Sequence, residues 1–196
     1  MKTVFLGLFL LFSSFKEEKQ GCLQMDLILI ADMSASVQEK EVFISNALIA
    51  FIKDFELSEE GVKIGIITFN ERTYIISPLS KDKETLLNKA SSIGGANFNT
   101  NFNNALLVAY RELNGENSRK DYKKMIIIIT DGDVENKDET KKIVQQLRNE
   151  NISICGIMIE NIDSQEEFMN SICNGCYLKS DYKELVRQLL NLDICV

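Results

Sequence analysis

Apolar residues fall in two rhythms along this chain. Near-continuous runs occupy 27–31, 62–69, 125–129 and 152–159, as expected of strands buried on both faces. Between them the apolar positions recur at helical spacing. Ile44, Ala47, Leu48, Phe51, Ile52 and Phe55 mark a helix within 37–55, and Ile143, Val144 and Leu147 mark one within 139–148. Shorter helices are predicted at 81–90 and 105–113. Ser164 with Glu167 reads as a capping box for another, and Asp181 as the cap of a last helix carrying Leu185, Val186, Leu189 and Leu190. A turn at 70–72 sends the chain back through 73–76 as a hairpin, and Tyr177-Leu178 reads as a final short strand. Strands alternating with helices predict an α/β fold. Its central sheet is doubly wound and mostly parallel, with one antiparallel edge strand and helices on both faces. Ligands of such sheets sit outside the carboxyl ends of the strands, so the residues following each strand are the first place to look for chemistry.

The ends of the chain bear on its location. Residues 1–15 hold one lysine, a dense apolar run and two serines. That is the layout of a secretory signal, too short to span a bilayer. No A-x-A pattern fixes the cleavage position, which could lie as late as about residue 21. A buried N-terminal helix is the alternative. The folded domain is then 22–195, and no other segment is long and apolar enough to cross a membrane. This reading makes the protein secreted, periplasmic or displayed at a cell surface.

Five cysteines fit an oxidising compartment. Cys22 precedes the first strand and Cys195 follows the last helix, so a bridge between them would tie the domain's ends. The chain-entropy account puts such a closure at roughly 4–5 kcal/mol. Cys173-Asn-Gly-Cys176 could form a second, local bridge; a zinc half-site and a redox pair are the competing readings. Cys155, within an apolar run, reads as a buried free thiol.

Charge and composition exclude several functions. The net charge is −7 with no basic stripe, which disfavours nucleic acid as a partner. There is no histidine, which removes Ser-His-Asp and Cys-His catalysis and His-ligated zinc.

What remains is a set of oxygen donors at predicted strand ends. Asp32-Met33-Ser34-Ala35-Ser36 follows the first strand, Thr130-Asp131-Gly132 follows the 125–129 strand, and Thr100 lies in an Asn-rich loop before a helix. Two carboxylates and three hydroxyls, with no sulfur or imidazole, suit a hard cation: Mg2+, with Mn2+ or Ca2+ as alternatives. Such a set leaves coordination positions open, so a bound cation should attract an exogenous carboxylate. Each piece also has a plain structural reading. Ser36 could cap a helix, Asp131-Gly132 could be a turn, and the asparagines at 97, 99, 101, 103 and 104 could be turn formers. Phe98 and Phe102 could be partner contacts or loop anchors.

The pattern resembles the von Willebrand factor type A (vWA, integrin I-like) domain, a Rossmann-like fold, over residues 22 to 195. Asp32, Ser34 and Ser36 match the D-x-S-x-S of its metal-ion-dependent adhesion site (MIDAS). Thr100 matches its loop threonine, and Asp131 its second aspartate within T-D-G. The family loop commonly reads G-G-x-T-x-T. Here four residues separate Gly95 from Thr100, and Phe102 replaces the second threonine. The resemblance implies a metal site of Asp32, Ser34, Ser36, Thr100 and Asp131. It also implies an end-to-end bridge, and a non-enzymatic module for adhesion or protein binding through a Glu or Asp of the partner. Two alternatives stand beside it. One is an intracellular assembly subunit of an ATPase-linked complex. The other is a metal-dependent phosphatase or hydrolase with Asp32 as nucleophile, against which Ser34 replaces the second aspartate of D-x-D.

Overall fold

The computed structural model describes residues 24–95, 100–131, 134, 136–160, 163–173, 176–192 and 194. The predicted leader and the Cys22–Cys195 pair lie outside them, as do Asn97, Phe98 and Asn99.

Among the described residues six strands form one sheet in the order β3-β2-β1-β4-β5-β6. They are β1 (Met25–Asp32), β2 (Val62–Phe69), β3 (Thr73–Ser80), β4 (Lys123–Thr130), β5 (Ile152–Ile159) and β6 (Tyr177–Ser180). All neighbours run parallel except β2 and β3, which form the expected hairpin. Every residue of β1 and β2 is buried, which is why those runs do not alternate with polar residues. Gly65 leaves room for the Ile28 side chain where β2 passes β1: a Cβ there would lie 2.5 Å from Ile28 Cδ1.

Among the described residues six α-helices cover the sheet. One face carries α1 (Glu41–Lys53), α2 (Lys83–Ser91) and α6 (Leu185–Asn191), packed on Leu27, Leu29, Ile127 and Ile157. The other carries α3 (Phe102–Leu113), α4 (Lys137–Asn149) and α5 (Asp163–Ile172), packed on Ile28, Ile30, Ile126 and Ile128. No described helix is long and apolar enough to cross a membrane.

Three local readings need correction. The helix expected over 37–55 is broken: a 3-10 turn at Ala35–Val37 precedes α1, and Glu39 adopts φ 67° between them. The apolar period could not register this break, because Val37 is buried in the turn as it would be in a helix. Ser164, read as the cap of the next helix, falls inside it, because α5 starts at Asp163. Asp181 caps an earlier turn, accepting from Glu184 N–H at 2.8 Å, three residues before α6 is under way.

The cysteine pairing also differs from expectation. Cys176 is bonded to Cys155, and Cys173 is a buried free thiol. Cys155 faces the α1/α6 side of β5, and Cys176 packs against that side. Cys173 belongs to the opposite core, with its Sγ 2.6 Å from where a Cβ on Gly156 would sit. The two close cysteines therefore pack in different layers. Burial pushes the Cys173 thiol up to about 12.

Candidate metal centre

The strand order changes direction between β1 and β4: the chain moves outward through β2 and β3 on one side, and through β5 and β6 on the other. This switch point leaves a crevice at the carboxyl ends of the two strands. Asp32 ends β1 and Thr130 ends β4, with Asp131 immediately beyond.

The side chains there form a continuous network. Asp32 Oδ1 accepts from Ser34 N–H at 2.8 Å, and Oδ2 accepts from the Thr130 hydroxyl at 2.6 Å. Ser36 Oγ lies 2.9 Å from Ser34 Oγ and donates to Asp131 Oδ1 at 2.8 Å. Asp131 Oδ2 accepts from the Tyr182 hydroxyl at 2.7 Å. Ser36 therefore does not cap α1, whose N-cap is Lys40; the 3-10 turn aims its hydroxyl into the crevice.

Asp32, Ser34, Ser36 and Asp131 are thus assembled by the fold. Thr100 stands at the entry to α3, next to Asn101, whose N–H donates to the Asn70 carbonyl at 2.7 Å beside the β2–β3 turn. Beneath it Phe102 is buried edge-on against Phe69, with 5.9 Å between centroids, so Phe102 anchors the loop. Among the described residues no hydrogen bond joins Thr100 to the other four. It lines a neighbouring cavity of about 430 Å3 with Asn103, Val134, Asn136 and Glu139. The described asparagines serve structure. Asn101 caps α3 through Asn104 N–H, Asn103 Oδ1 accepts from the Thr140 hydroxyl, and Asn104 donates to the Thr73 hydroxyl.

Two contributors escaped the sequence reading, Thr130 and Tyr182. Thr130 was visible within T-D-G but without a role. Tyr182 gave no signal, since its contact spans 51 residues.

The electrostatics of β1 set its two ends apart. Asp26 and Asp32 are both fully buried. Asp26 receives the Arg119 guanidinium through Nε at 2.8 Å and Nη2 at 2.6 Å, plus the Arg119 N–H and the Ser118 hydroxyl. Asp32 accepts from the Thr130 hydroxyl and from Ser34, and no guanidinium reaches it among the described residues. Burial pushes its carboxyl up to about 6; hydrogen bonds from Thr130 and Ser34 oppose the rise, and the nearby Asp131 adds to it. No cationic side chain contacts either carboxylate of this pair among the described residues. The phenol of Tyr182 is raised well above its usual range by burial and by Asp131, so it serves only as a donor.

The von Willebrand factor type A domain profile matches residues 26–189. The chain belongs to this family. Human integrin alpha-11 is 26% identical over 167 residues, 80% of this chain but only 14% of the integrin. Among solved structures, the manganese-loaded TRAP protein of Plasmodium vivax superposes with a TM-score of 0.70 at 22% identity, covering 85% of this chain and 72% of that one. Proximal thread matrix protein 1 from the mussel byssus, with a zinc-occupied MIDAS motif, gives a TM-score of 0.74 at 16% identity. It covers 87% of this chain and 45% of that one. At these identities the structural likeness speaks to the fold.

The donor set of this vWA domain fits a divalent cation. Two buried carboxylates meet without a cationic partner, and the described residues contain no cluster of three or more acidic, cysteine or histidine side chains. The hydroxyls of Ser34 and Ser36 are at hand as further oxygen ligands. All the donors are oxygen, which selects hard cations over thiophilic ones.

Proposed function

We propose that this vWA domain is a non-catalytic, extracytoplasmic binding module. It holds one divalent cation, Mg2+ by preference, between Asp32, Ser34, Ser36, Thr100 and Asp131. An open coordination position then takes a Glu or Asp carboxylate from a partner protein. Cation-dependent protein binding or adhesion is the activity this supplies.

One observation carries the reading: Asp32, buried like Asp26 on the same strand, lacks the guanidinium that Asp26 has and faces a second buried carboxylate instead. An unpaired buried charge costs several kcal/mol unless something compensates it, and a cation at the switch point is the compensation at hand. The related proteins agree in kind. TRAP is described as manganese-loaded and the byssus protein as zinc-occupied. An exported location is favoured by the Cys155–Cys176 bond and by the likeness to an integrin.

Asp131→Ala should abolish Mg2+ and Mn2+ binding in calorimetry while the circular dichroism spectrum stays native. Retained affinity in a folded variant would remove the site. A pull-down from a surface proteome, with and without EDTA, tests the partner: captured protein that survives EDTA would contradict a cation bridge.

A further inference from the structure

We propose that Tyr182 is a positioning residue of the cation site, fixing the orientation of Asp131 from the segment that leads into α6. This inference rests on the cation reading above and adds a residue to it.

Tyr182 lies between β6 and α6 and is only 6% exposed. Its hydroxyl donates to Asp131 Oδ2 at 2.7 Å while Ser36 donates to Oδ1 at 2.8 Å. Among the described residues each carboxylate oxygen therefore has one hydrogen-bond partner and keeps further acceptor capacity for a cation. The ring that carries the donor has two close neighbours. The Lys40 ammonium sits 4.6 Å from the ring centroid, and the Phe43 ring is 6.0 Å away. Lys40 is itself held by Glu160, 3.2 Å from both carboxylate oxygens. That pairing keeps a lysine at the rim of the site without placing it on Asp131. Glu160 N–H in turn donates to the Ser180 carbonyl at 3.0 Å, closing the frame around the β6–α6 connection.

A carboxylate that ligates a metal needs such an outer partner, and losing one typically weakens metal affinity about 10–100-fold. Because Tyr182 sits at the head of α6, the same bond transmits order: a cation that fixes Asp131 also fixes the entry to α6. Ring packing alone would predict no such response.

The test is Tyr182→Phe, which keeps the ring beside Lys40 and Phe43 and deletes only the hydroxyl. Mg2+ affinity is measured by calorimetry, and amide exchange across α6 is followed with and without Mg2+, in wild type and variant. We expect Mg2+ to bind the variant at least about tenfold more weakly. We also expect Mg2+ to slow α6 exchange in the wild type and not in the variant. Affinity within about twofold of wild type, or tighter, overturns the proposal. If the variant does not fold, the wild-type exchange decides: α6 amides indifferent to Mg2+ overturn it. Failure of the wild type to bind Mg2+ or Mn2+ at all would instead remove the cation reading, and this inference with it.

Discussion

Asp32→Asn should stabilise the cation-free protein at neutral pH while eliminating its cation binding. The folded carboxyl keeps its proton up to about pH 6, whereas an ordinary aspartate loses it near 3.8. Between those values the folded state binds more protons than the unfolded chain. The stability tied to Asp32 is therefore complete below about pH 4 and is lost as pH rises through about 6. At about 1.4 kcal/mol per pKa unit, the gap amounts to about 3 kcal/mol of destabilisation at neutral pH. Asparagine removes that charge. Its carbonyl can still accept from Ser34 N–H, but its amide offers the Thr130 hydroxyl no acceptor, a loss of about 1 kcal/mol. The net gain is thus about 2 kcal/mol near pH 7.

Urea denaturation in EDTA measures this directly. The stability of Asp32→Asn minus that of the wild type should rise by about 3 kcal/mol between pH 4 and 7. The difference isolates Asp32 from the other carboxylates titrating in that range. The linkage also governs the cation, which must displace the proton: wild-type Mg2+ affinity should be flat above about pH 7 and about tenfold weaker at pH 5. A flat stability difference across this window, or a variant less stable than wild type in EDTA at neutral pH, would refute the uncompensated-carboxylate argument.

At the other end of β1, Arg119→Ala should cost about 3–5 kcal/mol, because it strands a fully buried Asp26. β1 spans eight residues, so Asp26 lies about 20 Å from Asp32, and the folded fraction should keep its Mg2+ affinity. Denaturant melts and calorimetry check both halves; a loss under about 1 kcal/mol would contradict the pairing. Reducing the Cys155–Cys176 bond, which closes a separation of 21 residues, should lower stability by about 3 kcal/mol in the chain-entropy account. Non-reducing peptide mapping should recover that linkage and leave Cys173 alkylated only after unfolding. A Cys173–Cys176 linkage would disprove the facing argument.

Most of the architecture was legible because the central strands are buried on both faces and so read as solid apolar runs. Ile152–Ile159 coincides with its strand residue for residue. Asp32, Ser34, Ser36 and Asp131 were legible for a related reason: they are polar residues placed where those runs stop, and a parallel sheet gathers such ends. Contacts set by how distant elements stack were hidden. Tyr182 reaches Asp131 only because β6 pairs parallel to β5 and delivers the next residues to the crevice. The cysteine pairing depends on which face of β5 each thiol occupies, and sequence proximity misleads there. The break before α1 was hidden because Val37 is buried either way, so only a positive φ at Glu39 reveals it.

β1 carries a buried aspartate at each end, and a guanidinium neutralises Asp26 alone. If burial of Asp32 were an accident of strand packing, this sheet would resemble its own other end, where a guanidinium and two further donors surround Asp26. The chain does contain a lysine at the rim, Lys40, yet it is committed to Glu160 and to the Tyr182 ring. A protein selected only for stability would turn that ammonium about one side chain's length inward and neutralise the pair. Instead the carboxylates are surrounded by hydroxyls, which can coordinate a cation without cancelling its charge. Function-bearing sites commonly keep such local instability while the surrounding structure holds them in place. Here the fully buried β1 and β2, and the Arg119 lock below them, give the crevice a frame that does not depend on the site being filled.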